Sequence, residues 1–176
     1  MKKIILLLAT ITIFVFFNYN IYVKENIIES GEKVFLELRP VDPRSFMQGD
    51  YMALRFKIEE DAHFDRIKDD APFDDVIFVP LKGKIVVTIN EQKIGHVEKL
   101  YIGENLNVNQ YLFDYRRINA NINIVPDSFM FQEGHAILYE KAKYGIFKFV
   151  GQDYLLTGLA DEHLNEIKPL VETLVK

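Results

Sequence analysis

The sequence predicts an α+β protein, mainly antiparallel β and folded as a sandwich or a partly open barrel. One soluble helix is expected near 133–143, with a transmembrane helix at the N-terminus. Three observations predict this. A long apolar run opens the chain. Short stretches of apolar/polar alternation then recur, separated by Gly, Pro and Asn turns. One later segment combines helical spacing with a glycine behind it.

The opening run is apolar from Ile4 to Phe17 except for Thr10 and Thr12, and Asn18 and Asn20 interrupt it before Ile21-Tyr22-Val23. The stretch Ile4 to Val23 has the length a bilayer-crossing helix needs. Tyr19 and Tyr22 fall where an interfacial belt places aromatic residues, and Lys2 and Lys3 predict a cytoplasmic N-terminus. A cleaved secretory signal is the rival reading. It requires small residues at a cleavage site, and Asn18 to Asn26 contains no Ala-x-Ala pattern. The chain therefore divides into an anchor (1–23), a spacer (24–31) and a single extracytoplasmic β-rich domain (32–176).

Beyond the spacer, Val34, Leu36 and Leu38 alternate with Phe35, Glu37 and Arg39 until Pro40 stops the strand. Tyr51 to Ile58 reads as a second strand, with Met52, Leu54, Phe56 and Ile58 inward and Tyr51, Ala53, Arg55 and Lys57 outward. Glu59 to Asp75 carries eight acids and reads as a solvated loop with a helical turn at most. Strands follow at Val76–Val79 and Gly83–Asn90. The triplet Asn90-Glu91-Gln92 turns the chain into a strand over Lys93–Ile102. Ile118, Ala120, Ile122 and Ile124 alternate with Arg117, Asn119, Asn121 and Asn123 as one half-wet strand. Glu133 to Lys143 is the helix, with Ile137, Leu138 and Ala142 as its stripe and Gly145 as its end. Two strands, Ile146–Val150 and Tyr154–Leu159, join through Gly151-Gln152-Asp153, and a short helix is expected after Pro169.

Composition excludes several function classes. A net charge of −5, with only the short basic pairs Lys2-Lys3 and Arg116-Arg117, argues against a nucleic-acid surface. The lack of cysteine removes disulfides, zinc–thiolate sites, iron–sulfur clusters, thiol nucleophiles and a lipoprotein anchor. His63, His96, His135 and His163 show no metal-ligand spacing, and the acidic run does not match a calcium-loop pattern, so no metal is expected. No cofactor is expected either, because the chain has neither a phosphate loop nor a dinucleotide fingerprint.

The densest punctuation lies in Pro40–Phe56, where Asp42-Pro43 and Gly49-Asp50 separate two alternating runs. Asp42 ahead of Pro43 suits an Asx-type turn. Gly49 permits a positive φ, and Asp50 can accept loop amides or pair with Arg44. The candidate site residues are Asp42, Pro43, Arg44, Gly49, Asp50, Tyr51, Leu54 and Phe56. Gly49-Asp50-Tyr51-Met52-Ala53-Leu54-Arg55-Phe56 resembles the signature of the GDYXXLXY family of bacterial envelope proteins. Pro40–Ser45 and Phe131-Gln132-Glu133-Gly134 resemble what that family places there. The chain departs from the signature at Phe56, where the family has tyrosine. Loss of the hydroxyl fits a buried position and weakens any chemical role for it. The resemblance implies no enzyme activity and associates the chain with polytopic membrane proteins.

The first functional reading is therefore a binding module held to the bilayer through residues 4–23. It would contact a polytopic membrane protein through the loop Asp42–Asp50, with Tyr51 and Arg55 beside it. The alternative is an envelope hydrolase of the Ser/Lys-peptidase type, with Ser45 as nucleophile and Lys82 or Lys84 as base. A third reading is an ion or small-ligand sensor built on the acidic segment.

Overall fold

In a computed structural model, the structure describes residues 2–39, 47–48, 51–61, 80–118 and 121–169. Helix α1 (Lys2–Ser30) is uninterrupted. Its polar side chains return their donors to the helix itself. Thr10 and Thr12 Oγ1 donate to the carbonyls of Leu6 (3.0 Å) and Leu8 (2.9 Å), and the amides of Asn18 and Asn20 donate to Phe14 and Phe16 (2.8 and 2.7 Å). Donors satisfied in this way need no water, which a lipid environment would not supply. At 1.5 Å per residue the helix is about 44 Å long, more than a hydrocarbon core of about 30 Å.

The segment expected as a spacer continues the helix to Ser30, and β1 (Glu32–Glu37) begins after Gly31 alone. Ile27 is buried where the helix meets the sheet, and the Gly31 amide donates to the Ile27 carbonyl at 3.0 Å. Lys148 Nζ donates to the Ile28 carbonyl, one of the helix-end acceptors left without an intrahelical partner. A side chain at Gly31 would collide with the Ile27 carbonyl and the Lys148 side chain. Gly31 thus allows the helix to run straight into the sheet.

The remaining elements are β2 (Met47–Gln48), β3 (Tyr51–Ala53), α2 (Ile58–Asp61), β4 (Lys82–Ile89), β5 (Gly95–Leu100), β6 (Gln110–Ile118), β7 (Asn121–Ile124), β8 (Ser128–Met130), α3 (Ala136–Tyr139), β9 (Tyr144–Val150) and β10 (Asp153–Ala160). They form three antiparallel sheets, ordered β1-β9-β10, β2-β3-β8 and β5-β4-β6-β7. Phe35 of β1 bridges to Ile94 just ahead of β5, and Leu38 just past β1 bridges to Phe56 beyond β3, and the assembly forms a half-barrel. The predicted class holds. Within it lies a core of phenylalanines: Phe56, Phe113 and Phe147 are fully buried, with Phe147 5.6 Å from Phe56 and 5.0 Å from Phe113 between ring centroids. Each such ring contributes about 1.5–3 kcal/mol by leaving water.

The predicted β4–β5 and β9–β10 hairpins are present. Asn90 Oδ1 accepts the amides of Gln92 and Ile94, both at 2.9 Å, closing the first turn. Gly151, at φ 63°, opens the second. Three expectations change. The strand predicted over Tyr51–Ile58 stops at Ala53 and Ile58 starts a helix, yet Leu54, Phe56 and Ile58 are buried as expected. The chain here changes partner: Leu54 N donates to Asp127 O, then Arg39 N to Arg55 O and Lys57 N to Glu37 O, each at 2.8 Å.

The run around Ile118–Ile124 is a reversal between β6 and β7 rather than one strand, and β6 itself was not anticipated. Ile118 pairs with Asn121, so they share a face; Ile122 and Ile124 join Tyr115 on the core side. The reversal leaves Ile118 46% exposed. Finally, the soluble helix is one turn. Tyr139 is its buried residue, packed on Phe129 and Phe131 at 5.3 Å each, while Ile137 is 72% exposed. Gly145 lies within β9 instead of ending this helix, paired with Leu36 and Leu159, where a side chain would meet the Phe56 ring. The predicted strand 76–79, most of the acidic run and the tail after Pro169 lie outside the described residues.

Candidate functional site

A polar cleft of about 380 Å³ opens where the end of β1, the segment after β3, helix α2 and strand β7 meet. Arg39, Arg55, Glu59, Glu60, Asn121 and Asn123 supply its polar groups, and Ile118 and Ile122 its apolar wall. The bond from Arg39 N to Arg55 O, at 2.8 Å, holds the two arginine backbones side by side. The β6–β7 reversal puts Asn121 and Asn123 on the same face as Ile118.

Glu59 sits at the bottom of this arrangement, only 8% exposed. Strand β7 is the edge of its sheet, and Glu59 Oε1 accepts the Ile124 amide at 2.9 Å. The helical turn thereby covers a strand edge that would otherwise offer an open donor. Burial pushes the Glu59 carboxyl up to about 7. The Ile124 amide, Arg55, the Phe56 backbone and Arg39 pull the other way without cancelling it.

The arginines differ. Arg39 Nη2 is in close contact with Glu60 Oε1. Arg55 is half-buried, and among the described residues its guanidinium makes one long hydrogen bond, to the Leu54 carbonyl at 3.4 Å. Asn123 is only 7% exposed and lines the cleft.

A concave polar site with a buried, displaced carboxyl beside an under-used guanidinium has the marks of a binding site. The sequence placed Arg55 on the outward face, where it lines this cleft. It missed Arg39, Asn121 and Asn123, and it assigned Glu59 to a solvated loop. That assignment is corrected: Ile58, buried and next in chain, shows that the inward phase runs to the helix. A carboxyl directly after such a phase was the available signal.

A sequence model described as GDYXXLXY protein matches residues 13–158, from the middle of α1 to near the end of β10. The chain belongs to the GDYXXLXY family. No curated protein and no solved structure matches it. Of the family signature, Leu54 and Phe56 are core residues, which accounts for the tolerated loss of the tyrosine hydroxyl at Phe56. Tyr51 is 40% exposed and pairs across the sheet with Gln48 and Met130. Asp42, Pro43, Arg44, Gly49 and Asp50 lie outside the described residues, as does Ser45, the nucleophile of the hydrolase alternative. Of the two lysines considered as its base, Lys84 is ion-paired with Asp114 at 3.1 Å and Lys82 is exposed. Neither occupies the dry setting a neutral lysine base requires.

Proposed function

We propose that this chain is a single-pass, membrane-anchored extracytoplasmic domain that binds an integral, polytopic membrane partner. Residues 1–23 serve as anchor, 24–31 as the connecting piece and 32–176 as one binding domain. The observation that carries the reading is α1: apolar, outside the globule along its membrane-length window, and continuous into β1 through Gly31. A helix joined in this way holds the domain at a set height and orientation. The seven residues beyond Val23 add only about 10 Å. Lys2 and Lys3 favour a cytoplasmic start. The contact surface is the loop Asp42–Asp50 with Tyr51 and Arg55.

Affinity purification of the full-length protein from gently solubilised membranes tests the reading. A multi-spanning protein should co-purify in constant ratio, and Tyr51→Ala should reduce its recovery several-fold. A protein that purifies alone after cross-linking in intact cells would overturn it.

A further inference from the structure

We propose that the cleft bounded by Arg55, Asn121 and Asn123 is a binding site for a small organic carboxylate. The inference goes beyond the partner reading and does not require it. Three independent observations point to a ligand. Arg55 has a guanidinium built for a bidentate carboxylate, yet among the described residues its one side-chain hydrogen bond is the 3.4 Å contact to the Leu54 carbonyl. Asn123 is more than nine-tenths buried, lines the same cleft and leaves its amide unpartnered among the described residues. The amide reaches the cleft surface, since the buried side-chain atoms without a partner among the described residues are Glu104 Oε1 and His135 Nδ1, and it can therefore turn to a ligand. The cleft, at about 380 Å³, has room for a small molecule.

Charge selects the class. Arg39 is already matched by Glu60, which leaves Arg55 facing Glu59. With Glu59 ionised the described lining residues sum to zero charge; with Glu59 protonated they carry one positive charge, suited to the single charge and two coplanar oxygens of a carboxylate rather than to a tetrahedral phosphate. Glu59 sits near that transition, since burial holds its carboxyl at about 7. Among the described residues the charged groups around it are Arg39 from the end of β1, Arg55 from the segment after β3 and Glu60 from its own helix, and β7 contributes asparagine amides and Ile122. A bound carboxylate would repel an ionised Glu59, so binding draws a proton onto Glu59. The Arg55 guanidinium and the Asn123 amide then donate to the ligand oxygens, while Glu59 Oε1 keeps the Ile124 amide.

The test uses the full-length protein in non-ionic detergent, titrated with ¹³C-acetate, N-acetylglycylglycine or inorganic phosphate and followed by NMR line broadening. Acetate stands for a free acid and the dipeptide for a chain terminus; tighter binding of one identifies the source. Both should bind, nearly tenfold more tightly at about pH 6 than at about pH 8. Glu59→Gln should retain binding and lose that pH dependence. Arg55→Ala should weaken binding at least about tenfold; if circular dichroism shows it unfolded, Asn123→Ala carries the same expectation. The proposal fails if neither carboxylate broadens, if phosphate binds as tightly, or if the folded cleft variant binds like the parent.

Discussion

Glu59 shows how burial turns an ordinary side chain into a sensitive one. Folded, its carboxyl keeps a proton up to about pH 7; unfolded, it releases it near its ordinary 4.5. The folded state therefore binds more protons across that interval, and stability falls as pH rises through it, by an amount on the order of 3 kcal/mol. The carboxyls held below their ordinary range, such as Glu32 by its bond from Tyr111 and Glu104 at about 2 by Lys99, act on the acid side of this window. Thermal melts from about pH 5 to about pH 8 should show a falling melting temperature for the parent and a nearly flat one for Glu59→Gln. A flat parent profile would contradict the burial argument. Phe56 and Gly145 make a second residue-scale case. A methyl at Gly145 would lie 3.0 Å from Phe56 Cε1 and 3.3 Å from Leu156 and Phe147, so Gly145→Ala overpacks a full site. Denaturant titration should find it destabilised by about 1–3 kcal/mol. Phe56→Ala should cost about 3–5 kcal/mol through the cavity it leaves.

At the scale of elements, the half-barrel depends on crossings between strands that are not hydrogen-bonded neighbours. Tyr154, in β10, is the clearest. Its hydroxyl accepts the Asp114 amide of β6 at 3.0 Å and donates to the Val125 carbonyl just past β7 at 2.7 Å. Its ring stacks on Phe149 at 5.0 Å, and burial pushes its phenol well above the usual range, so it remains a donor. Tyr154→Phe keeps the ring and leaves both backbone groups short of a partner. It should lower stability by about 1–3 kcal/mol with the β-sheet spectrum retained, and speed amide exchange at Asp114. Unchanged exchange there would mean the crossing carries no load.

The whole molecule is a half-barrel joined directly to an apolar helix long enough to cross a membrane, and the anchor reading makes predictions at this scale. The full-length chain should stay with the membrane pellet through high salt and alkaline extraction. Its mature N-terminus should still precede Ile4. An N-terminus found between Phe17 and Ser30 would identify a removed signal instead. Deleting residues 2–23 should release the domain into the supernatant, because the helix window that would meet lipid is not part of the core.

Near-neighbour order alone fixes the membrane-length helix, the β4–β5 and β9–β10 hairpins, and the inward phase of Leu54, Phe56 and Ile58. Alternation reports which side a residue faces, and it survives a change of hydrogen-bonding partner. It does not report where the chain turns back, so β6 went unseen and Ile118 was assigned to the wrong face. The cleft belongs to the same blind spot. Arg39, Arg55, Glu59 and Asn123 come from separate stretches that only tertiary pairing brings together. The burial that raises Glu59 is a property of that assembly, since desolvation requires neighbours from across the fold.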